Sequence, residues 1–378
     1  MNTAGLQPRK TVVVIGATGH FGARICCRFV GEPNSRLVVA SRSLDSAKSL
    51  IAELQPVDPN YEIDAVSLDQ DSADFAAQLA SLHPFLVIHT AGPYQGQDYR
   101  VARACIRCGS HYIDLADGRA FVEGFSELDA EARIADLLLV AGASTLPGLS
   151  SAVLDFMGLE FRTIKHVEIS IAPAHQTPRG RGTIAAVLSY CGKPFQVLEN
   201  GRWVTRFGWQ NLRLQYYPAL GKRLSGACDV PDLSLFPAKI DGLEGATFHA
   251  ALEAWWEQLS LWLMAGASRI GVIRDWARFA RSFERLSRKM QNLGSSTGAM
   301  HIKIKGENRE GECSEKDWYL TARDNHGPEI PCSPALVLAR KLVRGKLQVR
   351  GAMPCMGLMS LADFEDEVRN LNIDWQVK

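Results

Sequence analysis

The sequence has no excess of charge of either sign, no long uncharged apolar run and no regular spacing of cysteines. Its 42 Lys and Arg and 41 Asp and Glu give a formal net charge of +1, so nothing favours nucleic acid as a partner. The most apolar segment, residues 259–268, is too short to span a membrane and is flanked by Glu257 and Arg269. The nine cysteines are odd in number and scattered. We therefore expect a cytoplasmic protein without a disulfide framework.

The chain is too long for one compact core and predicts two domains. With 378 residues, it divides into residues 1–150, residues 151–333 and a segment, 334–378, that packs back on the first domain. In the second domain, the alternating segments 166–172 and 301–305 indicate half-buried strands. These residues predict a second α/β (α+β) domain with a mixed sheet.

Short apolar strands alternate strictly with helical segments in the first domain. The predicted strands are residues 11–15, 37–40, 63–68, 85–90, 112–115 and 137–141, and the predicted helices are residues 21–30, 46–54, 72–81, 99–108 and 125–136. This alternation predicts an α/β fold of the Rossmann type, with a doubly wound parallel sheet. In such sheets ligands bind beyond the carboxyl ends of the strands, so the segments after each strand carry the functional candidates.

A glycine-rich turn follows the first strand directly and opens a helix. Gly16 permits a tight turn, Gly19 lets backbone N–H groups approach a pyrophosphate, and Gly22 lets the helix pack closely on the strand. The pyrophosphate would lie at the positive end of this helix. The spacing GxxGxxG is a variant common among NADP-linked enzymes. The predicted cofactor-binding residues of this turn are Gly16, Thr18, Gly19, His20, Phe21 and Gly22.

The end of the second strand indicates which dinucleotide binds. NAD enzymes usually place Asp or Glu there, whereas this chain has Ser41, Arg42 and Ser43. A guanidinium flanked by two hydroxyls suits a 2′-phosphate, so NADP(H) is the predicted cofactor. The alternative is that Arg42 is a solvated surface residue. Asp69, after the third strand, lies near the adenine amino group or caps a helix.

The loop after the fourth strand, Ala91-Gly92-Pro93-Tyr94, is expected beside the ribose and nicotinamide. Gly92 allows close approach of the backbone and Pro93 stiffens the turn. Tyr94 is a candidate proton donor. The alternative is an aromatic ring that packs under the loop.

The two loops that follow carry the remaining candidates. Asp114 and Asp117 are candidates for general acid–base catalysis or for binding an amino-acid-like substrate, and Arg119 lies beside them. Asp117 is alternatively a helix cap. Pro147 begins a segment that enters a helix beside the nicotinamide.

Five segments together resemble the saccharopine dehydrogenase-like oxidoreductases. They are Gly-Ala-Thr-Gly-His-Phe-Gly at 16–22, Ala-Gly-Pro-Tyr at 91–94, Val-Ala-Arg-Ala-Cys at 101–105, His-Tyr-Ile-Asp-Leu-Ala-Asp-Gly at 111–118 and Pro-Gly-Leu-Ser-Ser at 147–151. The resemblance covers about the first 155 residues. It implies an NADP-binding Rossmann domain joined to an α/β domain that covers the nicotinamide. It does not imply a particular substrate.

Residues 250–290 are rich in tryptophan and arginine. Five arginines lie on one face of a predicted helix over residues 273–288, namely Arg274, Arg278, Arg281, Arg285 and Arg288. Three interpretations stay open: an ordinary surface helix, a homodimer contact, or a lid that attracts an anionic or lipid-like partner, which includes a membrane.

The cysteines predict no metal site. Cys105 and Cys108 have CxxC spacing but no second pair of ligands, so they are expected in the core. Cys355 stays open as a nucleophile. Together the patterns predict an NADP(H)-dependent oxidoreductase that transfers a hydride to or from a carbonyl or imine of a small molecule. The alternatives are a non-catalytic NADP(H) sensor and a lipid-associated, oxidoreductase-like protein.

Overall fold

A computed structural model describes residues 9–378. The first part of the chain alternates strands and helices. In order these are β1 (Lys10–Ile15), α1 (His20–Phe29), β2 (Ser35–Ser41), α2 (Leu44–Leu54), β3 (Ile63–Ser67), α3 (Phe75–Ser81), β4 (Leu86–His89), α4 (Arg100–Cys108), β5 (His111–Asp114), α5 (Arg119–Gly124), α6 (Asp129–Ile134), β6 (Leu138–Ala141) and α7 (Ser150–Gly158).

These six strands form a parallel sheet in the order β3-β2-β1-β4-β5-β6. The side chains of β1 alternate between two cores because successive residues of a strand face opposite sides of the sheet. Val12 and Val14 pack with Phe29 of α1, whereas Val13 and Ile15 pack on the side of α3 and α4. With both faces covered, the strand is apolar throughout, as the sequence indicated.

The middle of the chain builds a second, larger sheet. Its elements are β7 (Phe161–Ala172), α8 (Arg181–Ser189), β8 (Pro194–Glu199), β9 (Arg202–Phe207), β10 (Arg213–Tyr217), β11 (Gly221–Ala227), α9 (Asp232–Lys239), β12 (Gly245–Ala251), α10 (Trp255–Arg269), α11 (Ala280–Met290), β13 (Gly298–Asn308) and β14 (Cys313–Ala322). β12 and β7 are parallel, and their other partners are antiparallel. The second sheet is therefore mixed.

The C-terminal segment contributes to both sheets. It contains α12 (Glu329–Val343), β15 (Gly351–Pro354), α13 (Leu361–Val368) and β16 (Ile373–Val377). β15 pairs in parallel with β6 as the seventh strand of the first sheet, and the buried face of α12 packs on the same domain. β16 pairs with β14 instead, so the end of the segment belongs to the second sheet.

The predicted fold class, a Rossmann-type parallel sheet with a second domain of mixed sheet, is confirmed. Five consecutive strands, β8 to β12, and the helix α9 were not predicted from the sequence. Strands such as β9 and β10 mix polar and apolar side chains and lack the apolar runs of a parallel sheet. Among residues 9–378, no helix combines the length and apolarity needed to cross a membrane.

The prediction of one helix over residues 273–288 is wrong in its beginning. α10 ends at Arg269, and α11 begins only at Ala280, so Arg274 and Arg278 lie in the connection between the helices, with Arg278 in a short 3-10 turn. The connection packs back on α10, because the indole N–H of Trp276 donates to the carbonyl oxygen of Met264 at 3.1 Å. α10 packs on β11 of the second sheet, whereas α11 packs on α8.

Candidate cofactor and active site

A cavity of about 1330 Å³ lies between the two domains. Its first half is lined by the turn between β1 and α1 and by the loops after β2, β3, β4 and β5, at the carboxyl ends of the strands. Its second half is lined by α8, α10, α11 and β12. The cavity thus begins where a Rossmann sheet binds its ligands and continues into the second domain.

The glycine turn has the geometry that a phosphate-binding turn needs. Gly16 has a φ of +76°, a conformation that favours glycine. Gly19 is the N-cap of α1 and no side chain caps the helix, so its first backbone N–H groups stay available at the cavity. A Cβ on Gly22 would lie 2.3 Å from the carbonyl oxygen of Gly16. Gly22 therefore supports the turn by close packing and does not itself line the cavity.

His20 and Phe21 continue the turn, and both line the cavity with Thr18. Burial, together with the nearby charge of Arg24, lowers the pKa of His20 to about 4. At neutral pH this imidazole is uncharged, so it adds no positive charge to that of the helix N-terminus and of Arg24.

The residues at the end of β2 place the exposed guanidinium of Arg42 at the cavity. The hydroxyls of Ser41 and Thr18 are 3.0 Å apart, and Ser43 caps α2 by accepting from the backbone N–H of Ser46. Arg42 is exposed and lines the cavity, and within residues 9–378 its guanidinium has no hydrogen-bond or ion-pair partner. No carboxylate follows the strand, so these residues fit a 2′-phosphate better than free ribose hydroxyls.

Asp69 lines the same part of the cavity. It is half-buried, and its Oδ1 accepts from the backbone N–H of Asp71 at 3.1 Å. The carboxylate therefore stabilises the turn after β3 while one oxygen faces the adenine side of the cavity.

The loop after β4 lines the cavity with Ala91, Gly92 and Pro93. Tyr94 also borders the cavity, but its hydroxyl donates to the carbonyl oxygen of His89 at 2.6 Å. Burial raises the pKa of Tyr94 well above its usual range, and its ring packs against Phe121. This arrangement favours the packing role over proton donation.

Asp114 does not reach the cavity. Its Oδ1 accepts from the backbone N–H groups of Ala116, at 2.8 Å, and Gly142, at 2.7 Å, which links the loops after β5 and β6. Burial raises the pKa of this carboxyl to about 7. The geometry favours a structural role for Asp114.

Asp117 faces the cavity directly. Its Oδ1 accepts from the side-chain amide of Gln95 at 3.1 Å, and the protein around the cavity raises its pKa by desolvation. It does not cap a helix, because the N-cap of α5 is Gly118. Of the three predicted catalytic residues, Asp117 is the one whose polar group is accessible to a ligand in the cavity.

We expect Asp114→Asn to change how stability depends on pH. The pKa of the carboxyl is about 7 in the folded chain and about 4 in the unfolded one. Between these values only the unfolded state loses the proton, so this group makes stability fall as pH rises, and the fall ends above about pH 7. The variant should remove up to about 1.4 kcal/mol per pH unit of that fall.

Urea unfolding from about pH 4 to pH 8 measures this. Asp45→Asn, at an exposed position in the first turn of α2, is the matched control and should keep the wild-type slope. Parallel profiles for wild type and Asp114→Asn would contradict the assignment.

The loop after β6 contributes Ser144, Thr145 and Leu146 to the cavity, whereas Pro147 is buried behind them. Cys355 is also buried, close behind the same loop, and burial raises the pKa of its thiol to about 12. A thiol with that pKa stays protonated at neutral pH, so the structure gives no support for a nucleophilic Cys355.

Sequence reasoning missed the polar residues that the second domain brings to the cavity. Asp229, Tyr190, Arg179 and Glu257 all line it. Asp229 accepts from Arg119 at 3.2 Å, so Arg119 joins the two domains rather than facing the ligand. Asp229 could have been proposed as a site residue because it closely follows a strand, but that strand, β11, was not predicted from the sequence. Within residues 9–378, no group of three or more His, Cys, Asp or Glu side chains is placed to hold a metal ion.

The parallel sheet, the uncapped glycine turn and the basic position after β2 define a dinucleotide-binding Rossmann domain. Residues 12–140 match the family model of the saccharopine dehydrogenase NADP binding domain. The first domain is therefore similar to the NADP-binding domain of saccharopine dehydrogenases, as the sequence segments indicated, and the prediction of NADP(H) as the cofactor is confirmed. The match to this domain supports membership of an oxidoreductase family. It identifies neither the substrate nor the reaction.

Two solved structures are similar over almost the whole chain. The apo saccharopine dehydrogenase (L-Glu forming) of Saccharomyces cerevisiae matches with a TM-score of 0.66 at 12% identity, over 98% of this chain and 100% of that one. The homospermidine synthase of Legionella pneumophila, in complex with NAD, matches with a TM-score of 0.57 at 10% identity, over 98% and 91% of the two chains. At such identities the similarity shows the fold. No curated protein matches the sequence.

Proposed function

We propose that the protein is an NADP(H)-dependent oxidoreductase that transfers a hydride between the nicotinamide and a carbonyl or imine carbon of a small molecule. One observation carries the proposal: the phosphate-binding turn, the carboxyl group of Asp117 and the inner surface of the second domain border one continuous cavity. A cofactor on the turn and a substrate in the second domain would therefore share a space enclosed by both domains.

The residues of the first domain fit the cofactor in its extended form. The N-terminus of α1 would hold the pyrophosphate, Arg42 the 2′-phosphate, and the loop at Gly92 the nicotinamide end. The bound nicotinamide supplies or accepts the hydride. The protein orients the two reactants and excludes water.

Asp117 is the proposed acid–base residue. Gln95 donates to its carboxyl group, and desolvation shifts the pKa upward, toward the range in which a carboxyl group can give a proton to a carbonyl oxygen or an imine nitrogen during reduction. Tyr190 and Asp229 line the cavity on the opposite, second-domain side. A substrate between them and Asp117 would have polar groups on both sides.

A non-catalytic NADP(H) sensor is the competing interpretation. A sensor would not require space beyond the nicotinamide, whereas here the cavity continues past Gly92 and Asp117 to α10 and α11. That continuity supports turnover of a second ligand. Oxidation of NADPH, followed by its absorbance, should occur with at least one member of a panel of aldehydes, ketones and preformed imines. NADPH binding with no turnover across the panel would favour the sensor.

We expect Arg42→Ala to abolish discrimination between NADPH and NADH. A hydrogen bond to a charged group contributes about 1.5–3 kcal/mol, so the dissociation constant for NADPH should rise by about 10- to 100-fold while that for NADH stays nearly constant. Calorimetric titration of both nucleotides measures this.

The matched control is Arg107→Ala, which removes an exposed arginine in the last turn of α4, at the opposite edge of the sheet. It should leave both affinities unchanged. Equal losses of NADPH and NADH affinity in Arg42→Ala would show that Arg42 does not read the 2′-phosphate.

A further inference from the structure

The second-domain half of the cavity is mainly apolar. Among the described lining side chains of that domain, only Arg179, Asp229 and Glu257 carry a charge. Apart from a few hydroxyl groups, such as those of Thr183, Ser260 and Ser287, the rest of the wall is aliphatic or aromatic, or consists of glycine, alanine and proline. We define the apolar chamber by six of these side chains, contributed by α8, α10 and α11: Ile184, Leu188, Leu261, Met264, Phe283 and Met290.

The two-faced pattern of α11 explains how the chamber forms. Arg281, Arg285 and Arg288 are exposed to solvent, whereas Phe283 and Met290 are partly buried and line the cavity. The arginine face of α11 therefore points to solvent, and the opposite face forms a wall of the cavity. Methionine side chains at such a wall, here Met264 and Met290, adapt to ligands of varied shape.

The cavity is larger than one ligand requires. Pockets for a single small molecule have volumes of about 300–1,000 Å³. The cavity here has about 1330 Å³, and the turn and loops of the first domain account for only part of its lining. An apolar space of this kind holds no well-bonded water, so filling it with apolar atoms is favourable.

We infer that the apolar chamber binds an aliphatic chain of the substrate, whose reactive carbonyl or imine carbon then lies on the Asp117 side of the cavity. The identity of the reactive group rests on the proposed function, whereas binding of the chain does not. The three charged side chains described in this half of the cavity are fewer than a highly polar substrate would need, and none of the six side chains of the chamber is charged. Each methylene buried there should strengthen binding by about 3- to 4-fold.

The first experiment measures chain-length dependence on the whole protein. N-phenyl-1-naphthylamine, an uncharged probe that fluoresces in apolar surroundings, is bound in the presence of NADP and displaced by linear 1-alkanols of increasing length. We expect the inhibition constants to fall by about 3- to 4-fold per methylene until the chain fills the chamber. Constants independent of length, or no displacement, would overturn the inference.

A second experiment tests whether the probe binds inside the apolar chamber. Met264→Trp fills the chamber, and Leu263→Trp changes the adjacent, exposed side chain of α10 in the same way. Probe affinity should fall at least tenfold in Met264→Trp and stay unchanged in Leu263→Trp. The reverse result would place the probe on the exposed helix surface and overturn the inference. If Met264→Trp does not fold, the length series on the wild-type protein still decides.

The outcomes separate this inference from the proposed function. Length-dependent binding without NADPH oxidation by alkanals or alkyl imines would leave the chamber assignment standing and would argue against hydride transfer. Oxidation of NADPH by short polar carbonyls, with alkanols unable to displace the probe, would confirm the reaction class and overturn the aliphatic chain.

Discussion

Gly22→Ala is expected to abolish high-affinity NADPH binding. The new methyl group would lie 2.3 Å from the carbonyl oxygen of Gly16 and 2.7 Å from the Cα atom of Ala17, both of them backbone atoms that cannot move aside without shifting the turn. Overpacking of this kind usually costs about 1–3 kcal/mol, and here relief requires α1 to move away from β1. The uncapped backbone N–H groups in the first turn of α1 move with the helix.

The expected result is therefore a loss of NADPH affinity of at least about tenfold together with a lower unfolding midpoint. Calorimetric titration and thermal unfolding measure the two effects separately. Gly266→Ala is the matched control, since a Cβ at this position of α10 meets nothing within 4 Å. It should keep NADPH affinity and gain up to about 1 kcal/mol of helix stability. Full NADPH affinity in Gly22→Ala would contradict the close-packing role of Gly22.

The parallel sheet could be predicted closely because its signals are local. A strand buried on both faces is apolar throughout, so β1 is recognised within one residue of its observed bounds. The glycine-rich turn is also recognised locally, because β1, the glycines and α1 follow one another directly in the sequence. The residues after β2 and β4 reach the cavity because parallel strands place their carboxyl ends on one edge.

The roles of individual side chains were harder to predict because they depend on distant partners. Asp114 and Asp117 are three residues apart, yet one accepts from backbone N–H groups across two loops and the other faces the cavity. The hydroxyl of Tyr94 has its acceptor at His89, which only the folded loop brings within 2.6 Å.

The second domain gave weaker signals for the same reason. Its antiparallel strands expose polar side chains on one face, and its contribution to the site comes from segments far apart in the chain, such as Arg179 and Asp229. The apolar residues of α10 and α11 were visible as helical faces in the sequence. That these faces line a cavity follows only from the packing of α10 on β11 and of α11 on α8.

Asp117→Asn is expected to lower the rate of NADPH-dependent reduction by about 10²- to 10⁴-fold, the usual contribution of a general acid. The amide keeps the size of the carboxyl group and cannot donate the proton that a carboxylic acid gives to the developing alkoxide or amine. NADPH affinity should be retained, because Asp117 lies beyond the phosphate-binding turn. Stopped-flow or steady-state NADPH absorbance with a carbonyl from the substrate panel measures the rate.

The pH profile gives a second readout. The surrounding protein desolvates Asp117 and raises its pKa although the side chain is exposed at the cavity, so the acid stays protonated to higher pH than an aspartate in free solution, and the reduction rate should fall as pH rises through that pKa. The reverse oxidation needs the carboxylate and should show the opposite trend. Asp98→Asn, at an exposed carboxylate in the loop after β4, is the control and should retain both rate and profile. An Asp117→Asn enzyme with an unchanged rate and profile would move the proton-transfer role to the second-domain side of the cavity, where Tyr190 and Asp229 are the remaining candidates.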